Sequence, residues 1–152
     1  MSLFRTTLLA CLVLGLSACG FQLRSAPTVP VQMSSTYIET SDTYSLFYRK
    51  LRRQLQSVGV VVVDNKADAD AVFSILSDET DQRVLSVSAR NVPREYEVYY
   101  SVYYAVQSGG ATLLEPQLQT ATRDYTYDET RVLGKSREED LLRDAIADDL
   151  VR

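Results

Sequence analysis

The chain has 152 residues, of which 45% are hydrophobic and 24% charged, with a net charge of -4. That length allows one domain with a real core, and the acidic balance excludes nucleic-acid binding driven by net charge. The absence of His excludes His-ligated zinc and iron and every His-based triad, and the only two Cys, Cys11 and Cys19, match no metal spacing and form no disulfide framework.

Near the N-terminus, Arg5 precedes an apolar run from Leu8 to Leu16, which is the order of an export signal and is too short to span a bilayer. Leu16-Ser17-Ala18-Cys19 resembles the lipobox of bacterial lipoproteins. The resemblance implies cleavage before Cys19 and a diacylglycerol on its sulfur. Gly20, in place of the Asp usual for inner-membrane retention, implies the periplasmic side of the outer membrane. Residues 1–18 are thus expected to be a signal peptide and 19–30, with Ser25, Pro27 and Pro30, a lipidated tether. Residues 31–152 are expected to form a single domain.

Val31 to Ile38 reads as a short strand with Val31, Met33, Ser35 and Tyr37 on one face. Ser41, Asp42 and Thr43 are N-cap candidates for a helix striped by Tyr44, Phe47, Leu51, Leu55 and Val58 and ended by Gly59. Arg49, Lys50, Arg52 and Arg53 fall largely off that stripe. Val60 to Val63 is either a brief strand or a packed extended segment. Ala71 to Ser88 reads as one long strand whose polar middle, Asp78 to Gln82, is the expected place of a bulge. A turn at Arg90–Pro93 leads to the clearest element, Glu95 to Gln107. There Tyr96, Val98, Tyr100, Val102, Tyr104 and Val106 form a core face, while Tyr99 and Tyr103 stand on the other face as sheet cover or partner contacts. A turn region from Ser108 to Pro116, a strand from Leu118 to Tyr127 and a loop from Asp128 to Lys135 follow. The last helix is expected to start at a capping box of Ser136 and Glu139, with Leu141, Leu142, Ala145, Ile146 and Leu150 as its stripe.

The order implies an α+β fold: a two-layer sandwich with two helices on one face of a four-stranded mixed sheet, in the sequence β-α-β-β-β-α. Strand parity gathers Arg90, Arg94, Arg131, Lys135 and Arg137 at the end opposite the tether, where such a cluster suits phosphate groups. On these residues alone, solvated loop charge beside Asp128, Glu129 and Glu138 is the better-supported reading. Asp124, Asp128 and Glu129 do not make an enzyme, since no second carboxylate segment, nucleophile elbow or phosphate loop accompanies them.

Several segments together resemble the LptE family of LPS-assembly lipoproteins. They are Cys19-Gly20-Phe21-Gln22-Leu23-Arg24, the Arg90-Asn91 turn into Glu95-Tyr96, Arg123-x-Tyr125-x-Tyr127-Asp128-Glu129, and Val132-Leu133-Gly134-Lys135. The resemblance implies a non-catalytic plug of the LptD outer-membrane β-barrel that helps assemble it and binds lipopolysaccharide, with no cofactor, metal or nucleic acid. Arg90 and Lys135 would contact the lipopolysaccharide phosphates, with Arg94, Arg131 and Arg137 as weaker candidates. One departure is the final helix, which family members extend by another basic, apolar turn and which here reaches Val151-Arg152. Composition fits an accessory lipoprotein of another envelope complex, with no lipopolysaccharide role, equally well.

Overall fold

The computed structural model describes residues 29–126 and 132–152, with side chains described from residue 137 onward in the last helix. The expected signal peptide, Cys19, most of the expected tether and the segment 127–131 with Arg131 lie outside the described residues. A 3-10 turn at Val31–Met33 precedes β1 (Ser35–Glu39), α1 (Leu46–Ser57), β2 (Val61–Val63), a second 3-10 turn at Lys66–Asp68, β3 (Ala71–Val87), β4 (Pro93–Ser108), β5 (Ala111–Thr126) and α2 (Val132–Leu150). The fold is the expected α+β sandwich, with one strand more than expected. The brief β-branched run pairs parallel to β1 (Ser35 opposite Val61) and makes a five-stranded sheet in the order β2-β1-β3-β4-β5.

β1 runs parallel to β3, and β3, β4 and β5 form an antiparallel meander. β1 pairs with β3 only from Ala71 to Ser74, so the sheet is five strands wide at the tether end and three strands wide beyond it. At about 3.3 Å per residue, the 17 residues of β3 put roughly 50 Å between the tether end and the β3–β4 turn.

Several local expectations change. The first strand starts with a 3-10 turn, which shifts its core face to Thr36 and Ile38, both buried. The Thr36 hydroxyl donates to the Met33 carbonyl at 2.8 Å, satisfying a buried polar group within the turn. The bulge in β3 falls at Leu76, between the pairs Ile75–Tyr104 and Ser77–Tyr103, and not in the polar middle. One extra residue reverses the parity, so Phe73 and Ile75 share the helix-side face with Asp78, Thr80 and Gln82. β5 begins at Ala111, because Gly109 (φ 57°) and Gly110 (φ 82°) close the hairpin alone with the left-handed conformations that a tight turn demands. Pro116 is tolerated in β5 because this is an edge strand, and with Glu115 it forms a bulge opposite Ala105.

α1 starts later than the cap candidates, at Ser45, whose Oγ accepts the Tyr48 N–H at 3.1 Å. Asp42 instead accepts the Tyr44 N–H in the preceding turn, and Tyr44 is 87% exposed. A second orphan donor of the first turn, the Phe47 N–H, is accepted by the buried Tyr100 hydroxyl of β4 at 3.1 Å. Gly59 ends the helix as expected, at φ 89°, with Gly59 N–H to Gln56 O and Val60 N–H to Leu55 O closing a Schellman motif. Phe47, Leu51 and Leu55 face a core that includes Phe73, Ile75, Val98, Tyr100, Val102 and Ile146.

α2 begins at Val132, so Lys135 lies in its first turn and Ser136 is inside the helix, not at its cap. Glu139 accepts from Arg143 one turn later, which is the use the helix makes of that carboxylate. The buried face of α2 is Ile146, Ala147 and Leu150, rotated from the expected stripe, and Leu141 is 67% exposed. The rotation accompanies an unexpected burial on α1. Lys50 is 5% exposed, with its ammonium 2.9 Å from Asp144 and 2.6 Å from Asp148 of α2.

Candidate functional site

The β3–β4 turn forms the end of the sheet opposite the tether. Ser88 N–H donates to Val92 O at 2.7 Å, Asn91 N–H to Ser88 O at 2.8 Å, and Val92 N–H to Ser88 Oγ at 3.2 Å. Asn91 takes φ 60°, a left-handed conformation that Asn adopts more readily than most side chains. This closed turn holds Arg90 at its outer edge. Arg94 follows in the first turn-adjacent residues of β4, and both side chains are exposed.

Two acidic groups of β4 near the turn are already engaged. Glu95 accepts from Ser86 Oγ at 2.7 Å, and Glu97 is ion-paired with Arg83, whose guanidinium also lies 5.9 Å from the centre of the Tyr99 ring. Arg90 and Arg94 have no ion-pair partner among the described residues. An unneutralised guanidinium offers paired N–H donors to a phosphate or carboxylate.

The register sets Thr126, the last residue described in β5, opposite Glu95. Tyr125 stacks on Tyr96 with ring centres 5.5 Å apart and donates to Gln82 Oε1 at 2.8 Å. Burial pushes the Tyr125 phenol up, and the negative charges of Glu139 and Glu138 on α2 add to this. The start of α2 therefore lies over this end of the meander, and Lys135 sits one helical turn further toward its N-terminus than Glu139. Arg137 is exposed on the same helix. The structure thus brings Arg90 and Arg94 together on one hairpin and sets the helix that bears Lys135 and Arg137 above the same half of the sheet. Cys19 and Arg131 lie outside the described residues.

Sequence reasoning missed the apolar side of this end. Val84, Leu85 and Val87 are exposed by 48, 46 and 52% on the β3 arm below the turn. Pattern alone gave no signal, since apolar residues within a strand read as core until their exposure is seen. Exposed apolar side chains next to unpaired guanidinium groups suit a ligand that is both anionic and acylated. Tyr99 is partly covered by Arg83, whereas Tyr103 remains exposed beside Leu118 of the edge strand.

A family profile described as LptE: Lipopolysaccharide-assembly matches residues 33–152. A protein of Yersinia enterocolitica named LPS-assembly lipoprotein LptE is 29% identical over 142 residues, covering 93% of this chain and 68% of its own. One of the same name from Pectobacterium atrosepticum is 28% identical over 139 residues, covering 91% and 75%. Among solved structures, the rare lipoprotein B of Shewanella oneidensis superposes with a TM-score of 0.66 at 29% identity, covering 77% of this chain and 87% of its own. Lipoprotein B of Nitrosomonas europaea does so with a TM-score of 0.66 at 25% identity, covering 87% and 85%.

Proposed function

This chain belongs to the LptE lipopolysaccharide-assembly family, and from that premise we propose that it plugs and helps assemble the LptD β-barrel and binds lipopolysaccharide in transit to the outer leaflet. It does so as a lipoprotein anchored through Cys19 on the periplasmic side of the outer membrane. Its action is binding and not catalysis.

One observation carries the ligand part of this reading. The hairpin end opposite the tether presents Arg90 and Arg94 without counterions among the described residues, next to exposed Val84, Leu85 and Val87. Lipid A combines phosphates with acyl chains, so both halves of that surface have a use. Fixed guanidinium groups engage phosphate oxygens in pairs and compete with the divalent ions that bridge neighbouring lipopolysaccharide molecules. Lys135 adds a point charge from the first turn of α2, while Arg94, Arg131 and Arg137 make secondary contributions. The meander, three strands wide over much of its length, is slender enough to enter a barrel lumen and has a polar outer face, as a plug needs.

The test is the affinity of purified lipopolysaccharide for the chain carrying Arg90→Asp and Lys135→Asp, at fixed salt. We expect at least a tenfold loss with an unchanged circular dichroism spectrum, Arg90 being an exposed turn residue. Unchanged affinity would contradict the proposed site.

A further inference from the structure

A second basic surface lies at the other end of the molecule. α1 contains Arg49, Lys50, Arg52 and Arg53 and no acidic residue, within a chain whose net charge is -4. The four do not share one fate. Lys50 turns inward to Asp144 and Asp148, and Arg52 is held by Asp64 at 3.0 Å and by the Tyr48 hydroxyl at 3.1 Å. Arg49 and Arg53 are exposed, one helical turn apart, and have no ion-pair partner among the described residues. Two like charges at that spacing oppose each other and weaken a helix slightly. An external anion would relieve this cost.

The position of this face narrows the choice of anion. Val61, four residues beyond the last residue of α1, pairs with Ser35, and its N–H donates to Ser34 O at 2.9 Å. The C-terminal end of α1 is therefore level with the point where the tether joins the domain. Arg53 lies about 6 Å and Arg49 about 12 Å from that end along the helix axis. The segment from Cys19 to Pro30 spans at most about 40 Å when fully extended, so this face lies within reach of the membrane that holds the anchor. The Arg90 turn is roughly 50 Å away, too far to serve the same surface.

We propose that the outward face of α1, built on Arg49 and Arg53, docks on the anionic phospholipid headgroups of the membrane to which Cys19 is anchored. The inference rests on the lipoprotein reading and is independent of lipopolysaccharide binding. Without this face an acidic domain is repelled by an anionic leaflet; with it, attraction is confined to the wide end of the sheet. A basic patch beside a lipid anchor strengthens attachment, and the anchor keeps the local lipid concentration high enough for two charges to matter.

The test uses the lipidated, signal-processed chain in vesicles. With Cys19 blocked by lipid and Cys11 removed with the signal peptide, Gln56→Cys supplies one free thiol for a fluorophore beside Arg53. Headgroup-quencher lipids are placed in vesicles of phosphatidylcholine alone or with a third phosphatidylglycerol. We expect quenching to be several-fold stronger in the anionic vesicles at low salt. It should fall to the neutral level at 1 M salt, where charges are screened within about 3 Å, and in the Arg49→Glu, Arg53→Glu variant. A label at Asn91→Cys should stay unquenched. Equal quenching in both vesicles, or in the double variant, overturns the proposal, as does a signal seen only when an acidic protein partner is added. Mass spectrometry of the same sample reports lipid on Cys19. An unlipidated chain marks a failure of the anchor reading, and its sedimentation with the two vesicle types still tests the α1 face.

Discussion

Lys50 links the two helices, its ammonium 2.9 Å from Asp144 and 2.6 Å from Asp148 of α2. Its ammonium is buried while Asp144 and Asp148 remain about half exposed, so the cost of breaking the cluster depends on which side is changed. Removing both carboxylates, in Asp144→Asn with Asp148→Asn, leaves a buried unpaired charge and should cost about 3 kcal/mol or more. Lys50→Met removes the buried charge itself and leaves two solvated aspartates, so it should cost distinctly less. Urea unfolding of the two variants checks the order; equal losses would contradict it. Tyr100 is the second residue of this kind. Its hydroxyl accepts the Phe47 N–H, and burial, followed by the neighbouring Asp78 carboxylate, holds its phenol far above the usual value near 10. Tyr100→Phe should cost about 1–3 kcal/mol, because the donor of α1 loses its buried acceptor. The sign of the pH effect follows from a folded value above the unfolded one. The stability linked to this proton is fully present below pH 10 and is lost as pH rises beyond it. The wild type should therefore lose more stability than Tyr100→Phe when unfolding is compared at pH 9 and at pH 11.

Helix ends and bulges decided where the elements differ from the pattern of the sequence. Gly59 was legible because a glycine after the last stripe residue has one common use, and its φ of 89° confirms that use. Gly59→Ala should cost about 1 kcal/mol in thermal or urea unfolding, since alanine must be forced into a left-handed conformation with no clash to blame. A stabilised variant would contradict this. The strict alternation from Tyr96 to Val106 was legible for a similar reason, because both faces of β4 are defined by side chains of opposite character. The bulge at Leu76 was not legible. Its register is set by pairing with Tyr103 and Tyr104, which no local pattern encodes. The tertiary cap of α1 by Tyr100 was hidden likewise, since its partners are 53 residues apart. The start of α2 was misread because Ser136 and Glu139 have the spacing of a capping box, whereas the helix continues through them. Of the candidate site, strand parity alone predicted that Arg90 and Arg94 lie opposite the tether. The apolar arm beside them was visible only from the exposure of Val84, Leu85 and Val87 in the folded chain.

At the scale of the whole molecule, charge and shape divide the domain along its length. The wide, five-stranded end bears the tether and the basic face of α1, and the narrow, three-stranded end bears the Arg90 turn. The sheet is roughly 50 Å long, with α1 at its wide end and α2 running back from the narrow end to meet it. A plug has a use for that length, because it lets one end stay at the membrane while the other reaches into a lumen. The long β5 edge fits the same use. Edge strands left open invite association, and this one is blunted by Pro116 and its bulge and bears mostly polar residues. The most direct measurement is to tag the C-terminus, extract the outer membrane in mild detergent at high salt, and identify what copurifies. The account predicts one large β-barrel in equal amount that resists salt. A lipidated protein recovered alone would contradict it.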